Sequence, residues 1–149
     1  MIINTLRGLF KRDLETLKKE IGLYQTEANL WTIDAAISNS AGNLCLHLVG
    51  NLNTYIGAEF GKTGYIRNRD LEFSQKDVPQ TALLTKIEDT IAVVDLALSQ
   101  LSEAQLQADY PQEVFAGKTM TTEYLLIHLV AHLSYHLGQI NYHRRLLDK

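Results

Sequence analysis

Apolar residues recur at intervals of three and four along four stretches of the chain, and each stretch predicts an amphipathic helix. Over residues 5–24, Leu6, Leu9, Phe10, Leu14, Leu17, Ile21 and Tyr24 form one stripe, while Lys11, Arg12, Glu15, Lys18, Lys19 and Glu20 fill the other positions. Gly22 weakens the last turn. The pattern then lapses over residues 25–39, where Trp31 and Ile33 are the expected packing anchors. A second helix opens at Ser38 or Ser40, either of which can cap it, and runs to about Ala58. Its stripe is Leu44, Cys45, Leu48, Val49, Leu52 and Ile56, and His47, Asn51 and Tyr55 repeat at four-residue spacing on another strip. Gly42, Gly50 and Gly57 each lower the helix propensity by about 1 kcal/mol relative to Ala, and they allow a neighbour to approach closely.

Residues 61–77 are turn-rich and charged, with no usable period. A connection of this length in a compact domain is more often functional or self-packed than idle. Asp77 is the expected N-cap of the third helix, with Pro79 in the first turn and Gln80 at the capping-box position. Leu84, Ile87, Ile91, Val94, Leu98 and Leu101 carry that helix over residues 79–101. About three heptads favour bundle packing over an extended coiled coil. Ser102 and Gln105 predict a capping box on a short helix. Residues 110–122 suggest a small hairpin around Gly117, after which Thr119 or Thr121 caps the last helix. The expected fold is all-α, a single four-helix bundle domain over residues 1–149, with a long crossover loop between the second and third helices.

The last helix carries the candidate chemistry. Residues 123–145 read EYLLIHLVAHLSYHLGQINYHRR and hold four of the five histidines. At about 100° per residue, His128, His132, His136 and His143 project within roughly 80° of one another. Gln139 shares that sector and Tyr135 and Tyr142 border it, while Leu126, Val130, Leu133, Leu137 and Ile140 form the apolar back. Two histidines four apart are separated by about 6 Å along the axis and can reach one ion; His128 and His136, about 12 Å apart, cannot. A single site therefore takes His128 with His132, or His132 with His136. The third ligand must come from elsewhere, and His47 is the histidine that remains. Such a set suits Zn²⁺ or Ni²⁺. Leu133 stands where a zinc protease needs a glutamate, which sets that activity aside.

Composition narrows the classes further. The 14 Lys+Arg and 17 Asp+Glu leave a net charge of −3, with no basic concentration to track a phosphate backbone, so nucleic acid is not an expected partner. Apolar runs are broken well before the ~20 residues of a membrane span. The N-terminus lacks the pattern of a secretory signal. Cys45 stands alone, which agrees with a cytoplasmic protein.

The run HLSYHLGQI, residues 132–140, resembles the last-helix signature of the DinB-like family of four-helix metal-binding proteins. The resemblance implies that His132 and His136, followed by Gly138 and Gln139, coordinate a divalent metal. His47, in NLCLHLVGNLNTYIG, would supply the third ligand. Leu137 departs from the pattern, because a charged residue is common there. The run GNLNTYIGAEFGKTGYIRNRDLEF resembles an uncharacterised subgroup, and the helix order fits over essentially the whole chain. Some members resemble thiol S-transferases that join bacillithiol or a similar small thiol to an electrophile; others are mycothiol-dependent isomerases. Relatives often form homodimers. His128, Gln139, Asn51 and Tyr135 are expected in the second shell or the pocket wall. Arg67 and Arg69, with Asp70, either hold an anionic substrate or form salt bridges. His143 is expected to meet the last helix carbonyls, and Cys45 to lie in the core.

Overall fold

The computed structural model describes residues 1–149, and each amphipathic stretch forms its helix. Helix α1 (Ile2–Gly22) buries Ile3, Leu6, Phe10, Leu14, Leu17 and Ile21. A 3₁₀ turn, Glu27–Trp31, lays the Trp31 ring on Gly42, where a Cβ would sit 2.7 Å from the ring carbons. Helix α2 (Ala41–Leu52) is capped by Ser40, whose hydroxyl accepts from the Asn43 N–H, and every one of its residues is buried. It continues through a π-helical turn, Asn53–Ala58, and a last turn, Glu59–Gly61. Helix α3 (Arg69–Ser74) is a short helix inside the crossover, where the sequence offered no period; Asn68 caps it. Helix α4 (Gln80–Ser99), α5 (Glu103–Gln107) and α6 (Thr122–Leu147) complete the chain. The capping box at Ser102 and Gln105 and the Thr121 cap are both present.

The side-chain pairs fix the helix directions. Arg7 meets Asp95 and Lys18 meets Glu88, so α1 runs antiparallel to α4. The C-terminal ends of α1 and α6 meet at Glu20 and Arg144, so those two run together. Asn53 donates to Thr90, and Gly57 and Gly61 face Val93 and Ala97, so α2 and α4 are parallel. Two parallel neighbours require a connection that travels back along the bundle, which is why residues 62–79 form a long crossover. The four long helices share one cluster of 32 buried apolar side chains, into which all the crossings pack.

Three expectations change. Asp77 does not cap α4: it adopts a left-handed φ of 59°, and α4 begins after Pro79. The Glu27 carboxylate accepts from the Gln80 backbone N–H instead, while the Gln80 side chain donates to the carbonyls of Ile21 and Tyr24. The buried stripe of α4 is Leu83, Ile87, Thr90, Val94, Ala97 and Leu98, with Leu84 and Ile91 at its margin, because α4 is held between α1 and α2. The hairpin contracts to a single antiparallel bridge between Asp109 and Thr121. The residues it encloses turn at Gly117, whose φ is 72°, and place Val114 and Phe115 over a cleft instead of pairing.

Candidate metal centre

His47 lies midway along α2, and its imidazole points at α6, where His132 and His136 sit one turn apart. The Nε2 atoms of His47 and His132 are 3.2 Å apart, and those of His132 and His136 are 3.1 Å apart. All three ligand atoms fall within 4.8 Å of one another. The alternative pair loses: His128 stacks on His132 at a ring separation of 6.4 Å, outside this group.

Hydrogen bonds on the far side of two rings determine which nitrogens are bare. His47 Nδ1 faces Glu72 Oε1 at 3.0 Å. Burial pushes the His47 pKa down, against the pull of Glu72, so the ring is neutral at pH 7 and must donate from Nδ1, leaving a lone pair on Nε2. His136 Nδ1 donates to Gln139 Oε1 at 2.7 Å, which bares its Nε2 as well. Burial, with the neighbouring imidazoles, lowers the His132 pKa to about 4, so this ring is also neutral. A neutral His132 can place at most one proton between two bare nitrogens. If it does, its buried Nδ1, which has no partner, becomes an orphan acceptor. A cation at the centre relieves the three facing lone pairs, with the His132 proton then carried on Nδ1. For metal–nitrogen bonds of about 2.0–2.1 Å, a tetrahedron has edges of about 3.3–3.4 Å, close to the two short separations. The donor set fits a divalent metal.

Glu72 is the residue that sequence reasoning missed. It is a buried carboxylate on α3, and Arg67 grips it with Nε at 2.8 Å from Oε2 and Nη2 at 2.9 Å from Oε1. Arg67 Nη2 also comes within 3.4 Å of His47 Nδ1. Gly50 makes room: a Cβ there would lie 1.9 Å from Glu72 Oε2. Asn43, fully buried, holds the end of α3 by donating Nδ2 to the carbonyls of Glu72 at 2.9 Å and Gln75 at 2.8 Å. A carboxylate that accepts from a ligand's distal N–H orients that ligand and raises its basicity. The available signal was Gly50 on the turn after His47, together with the acids of a short segment capped by Asn68.

The other expected residues divide. Arg67 is a half-buried ion-pair partner, and Arg69 stays exposed, with its guanidinium 5.3 Å over the Phe73 ring. Asn51, Arg67, Arg69, His128 and Phe115 line a cleft of about 360 Å³ beside His47 and His132. Gln139 touches His136 directly. Tyr135 is exposed, its ring centre 5.4 Å from that of His136. His143 is not a helix-terminal group: it is buried between the Tyr24 hydroxyl and the Thr32 carbonyl. Cys45 is buried in the core, and burial pushes its thiol up to about 12.

The model of a family described as a protein of unknown function, DUF1572, matches residues 2–149. The chain belongs to this family. A crystal structure of a conserved protein from Enterococcus faecalis is similar to it, with a TM-score of 0.77 and 19% identity, over 99% of this chain and 97% of that one. At that identity the likeness shows the fold. No curated protein matches the chain. No helix of this DUF1572 chain is long and apolar enough to cross a membrane. Its three convergent histidines can hold a metal ion.

Proposed function

We propose that this DUF1572 protein is a metal-dependent enzyme of the DinB-like kind, resembling the thiol S-transferases of that group, with His47, His132 and His136 as the ligands. The convergence of three bare imidazole nitrogens, with His47 and His132 in the wall of a cleft, carries this reading. Zinc or nickel suits such a donor set. A metal with open positions would hold a small thiol as its thiolate at neutral pH. The chain's own residues do the rest. Glu72 and Gln139 keep His47 and His136 in the ligating tautomer, and Phe115, Val114 and Leu129 give the cleft its apolar wall. In the reaction, the thiolate sulfur forms a bond to an electrophilic carbon and the leaving group departs with its electron pair. The thiol proton passes to water or to His128, the imidazole in the cleft that lies outside the triad. The single thiol, buried and neutral, suits a cytoplasmic setting.

Protein purified without chelator is expected to carry about one divalent metal per chain, and the variant with all three histidines changed to alanine none. Absence of metal in the native protein, with no uptake of added Zn²⁺ or Ni²⁺, sinks the reading. Turnover in a panel of thiols and electrophiles tests the activity itself. The network of Glu72, Arg67 and Asn43 ties the triad to the crossover, which favours a second reading, a non-catalytic module with a structural metal. EDTA separates the two: a large fall in Tm with no turnover supports the structural role, and metal loss with little change in Tm supports the enzyme.

The same proposal includes a homodimer through α6. Tyr124, Ile127, Tyr135, Tyr142 and Leu146 are exposed on one side of that helix, and Ala131 and Gly138 lie between them. Two copies paired antiparallel about Tyr135 would set Tyr124 against Leu146 and bring Ala131 and Gly138 to the crossing. That arrangement is self-complementary, as a two-fold interface requires. Sedimentation should show a dimer that Tyr135→Asp dissociates; a monomer at micromolar concentration rules it out.

A further inference from the structure

The cleft beside the histidines holds two arginines, and the structure treats them differently. Arg67 spends its guanidinium on Glu72. Arg69 forms no ion pair, and its guanidinium rests over Phe73, whose ring in turn packs 4.9 Å from His47. None of the side chains lining the cleft is a carboxylate. An exposed cation therefore faces a space whose wall offers it no counter-charge. On the inner wall, one turn beyond His47, stands Asn51. It is only 7% exposed, and its Oδ1 is buried without a hydrogen-bond partner. A buried amide oxygen left without a donor is a group waiting for one. Phe115, set edge-on to His128 at 5.1 Å, closes the outer side. The volume of about 360 Å³ is that of a site for a small molecule.

We propose that this cleft binds small carboxylates that also carry an N–H or O–H group, with Arg69 holding the carboxylate and Asn51 Oδ1 accepting from the donor. Guanidinium suits this role because its planar fork matches both carboxylate oxygens. The inference deepens the enzyme reading above by giving its substrate a charge and a donor. It rests on that reading only for what happens at the sulfur end.

Calorimetric titration of the zinc-loaded protein with two matched pairs tests it: N-acetylcysteine against its primary amide, and N-acetylserine against its primary amide. Each pair differs only in the carboxylate, and the serine pair lacks sulfur. The acid of each pair is expected to bind at least about tenfold more tightly, in line with a charge-assisted hydrogen-bonded pair. Arg69→Gln should abolish that preference in both pairs, with metal content unchanged. Asn51→Leu should weaken all four probes severalfold, with circular dichroism and metal content confirming an intact fold. Equal binding of acid and amide overturns the proposal, and so does a preference that survives Arg69→Gln. A carboxylate preference with no gain from sulfur keeps this proposal and sinks the thiol reading. A gain from sulfur with no carboxylate preference does the reverse.

Discussion

His143 shares one helix and one angular sector with His132 and His136, two members of the triad, yet it sits in the opposite kind of environment. His143 is 3% exposed and both of its nitrogens are engaged: Nε2 donates to the Thr32 carbonyl at 2.8 Å and Nδ1 accepts from the Tyr24 hydroxyl at 2.7 Å. Burial raises the Tyr24 pKa, so the phenol stays a donor. This imidazole is a strut that joins α6 to α1 and to the segment before α2. In the triad, only the outer nitrogens of His47 and His136 are engaged, and the inner ones face each other. Burial does not separate a structural histidine from a candidate ligand here. The number of ring nitrogens already committed to protein partners does.

The comparison breaks first at the triad. Changing His47, His132 and His136 together to alanine should remove all bound metal while the helical circular dichroism persists. His143→Phe should leave metal content untouched. A metal-free His143 variant would mean that the two environments are not independent. Glu72→Ala comes next. It strands Arg67 as a half-buried charge, and breaking such a pair costs about 3–5 kcal/mol. The urea midpoint should fall accordingly, and metal should be lost with it. Glu72→Gln keeps an acceptor for His47 but removes the charge; outer partners of this kind are worth about 10–100-fold in metal affinity. Competition with a chromogenic chelator measures that factor.

pH sharpens the same contrast. The His132 pKa lies far below that of an ordinary imidazole because of burial and its imidazole neighbours. A histidine depressed by folding contributes stability above the unfolded value of about 6.5 and loses it as pH falls toward the folded value. The metal-free protein should therefore weaken between pH 6.5 and about pH 4, the folded value of His132, with its ring resonances titrating near the lower limit. Bound zinc should hold the stability flat until protons displace the metal. An unchanged slope with and without zinc would detach these imidazoles from the ion.

The candidate triad was largely legible in the sequence because most of its information is local, although spacing alone also allowed His128 with His132. A four-residue repeat places His132 and His136 one turn apart whatever the rest of the chain does, and His47 remained by elimination. The helices were legible for the same reason, and so were the caps at Ser40, Ser102 and Thr121, which act within their own turn. What escaped depends on contacts between distant segments. Glu72 orients His47 across 25 positions, from a segment too short to show a period. The α4 start is capped by Glu27, 53 residues away, so the local candidate at Asp77 was passed over. His143 looked like a helix-end group because nothing in its neighbourhood announces Tyr24 or Thr32. Arg67 and Arg69 read alike in the sequence, and only the position of Glu72 tells them apart.

The smallest effect lies at the strut end, beside His143. Glu20 is buried against α6, where it accepts from Arg144 Nε at 2.8 Å and from Asn141 Nδ2 at 2.9 Å. Burial works to raise its pKa, but these donors and the Arg144 charge outweigh it, and the net shift is downward. A carboxylate held down by folding stabilises the protein above its unfolded pKa of about 4.3, and that contribution is lost as pH falls through the lower folded value. Glu20→Gln should therefore cost about 1 kcal/mol at pH 7, since solvent screens part of the pair, and less at pH 3. Urea midpoints of the native protein and the variant, compared at the two pH values, read the difference. Because the contact is remote from His47, the deficit should be the same with and without zinc. A deficit that grew on removing zinc would show that the strut and the triad are coupled through α6.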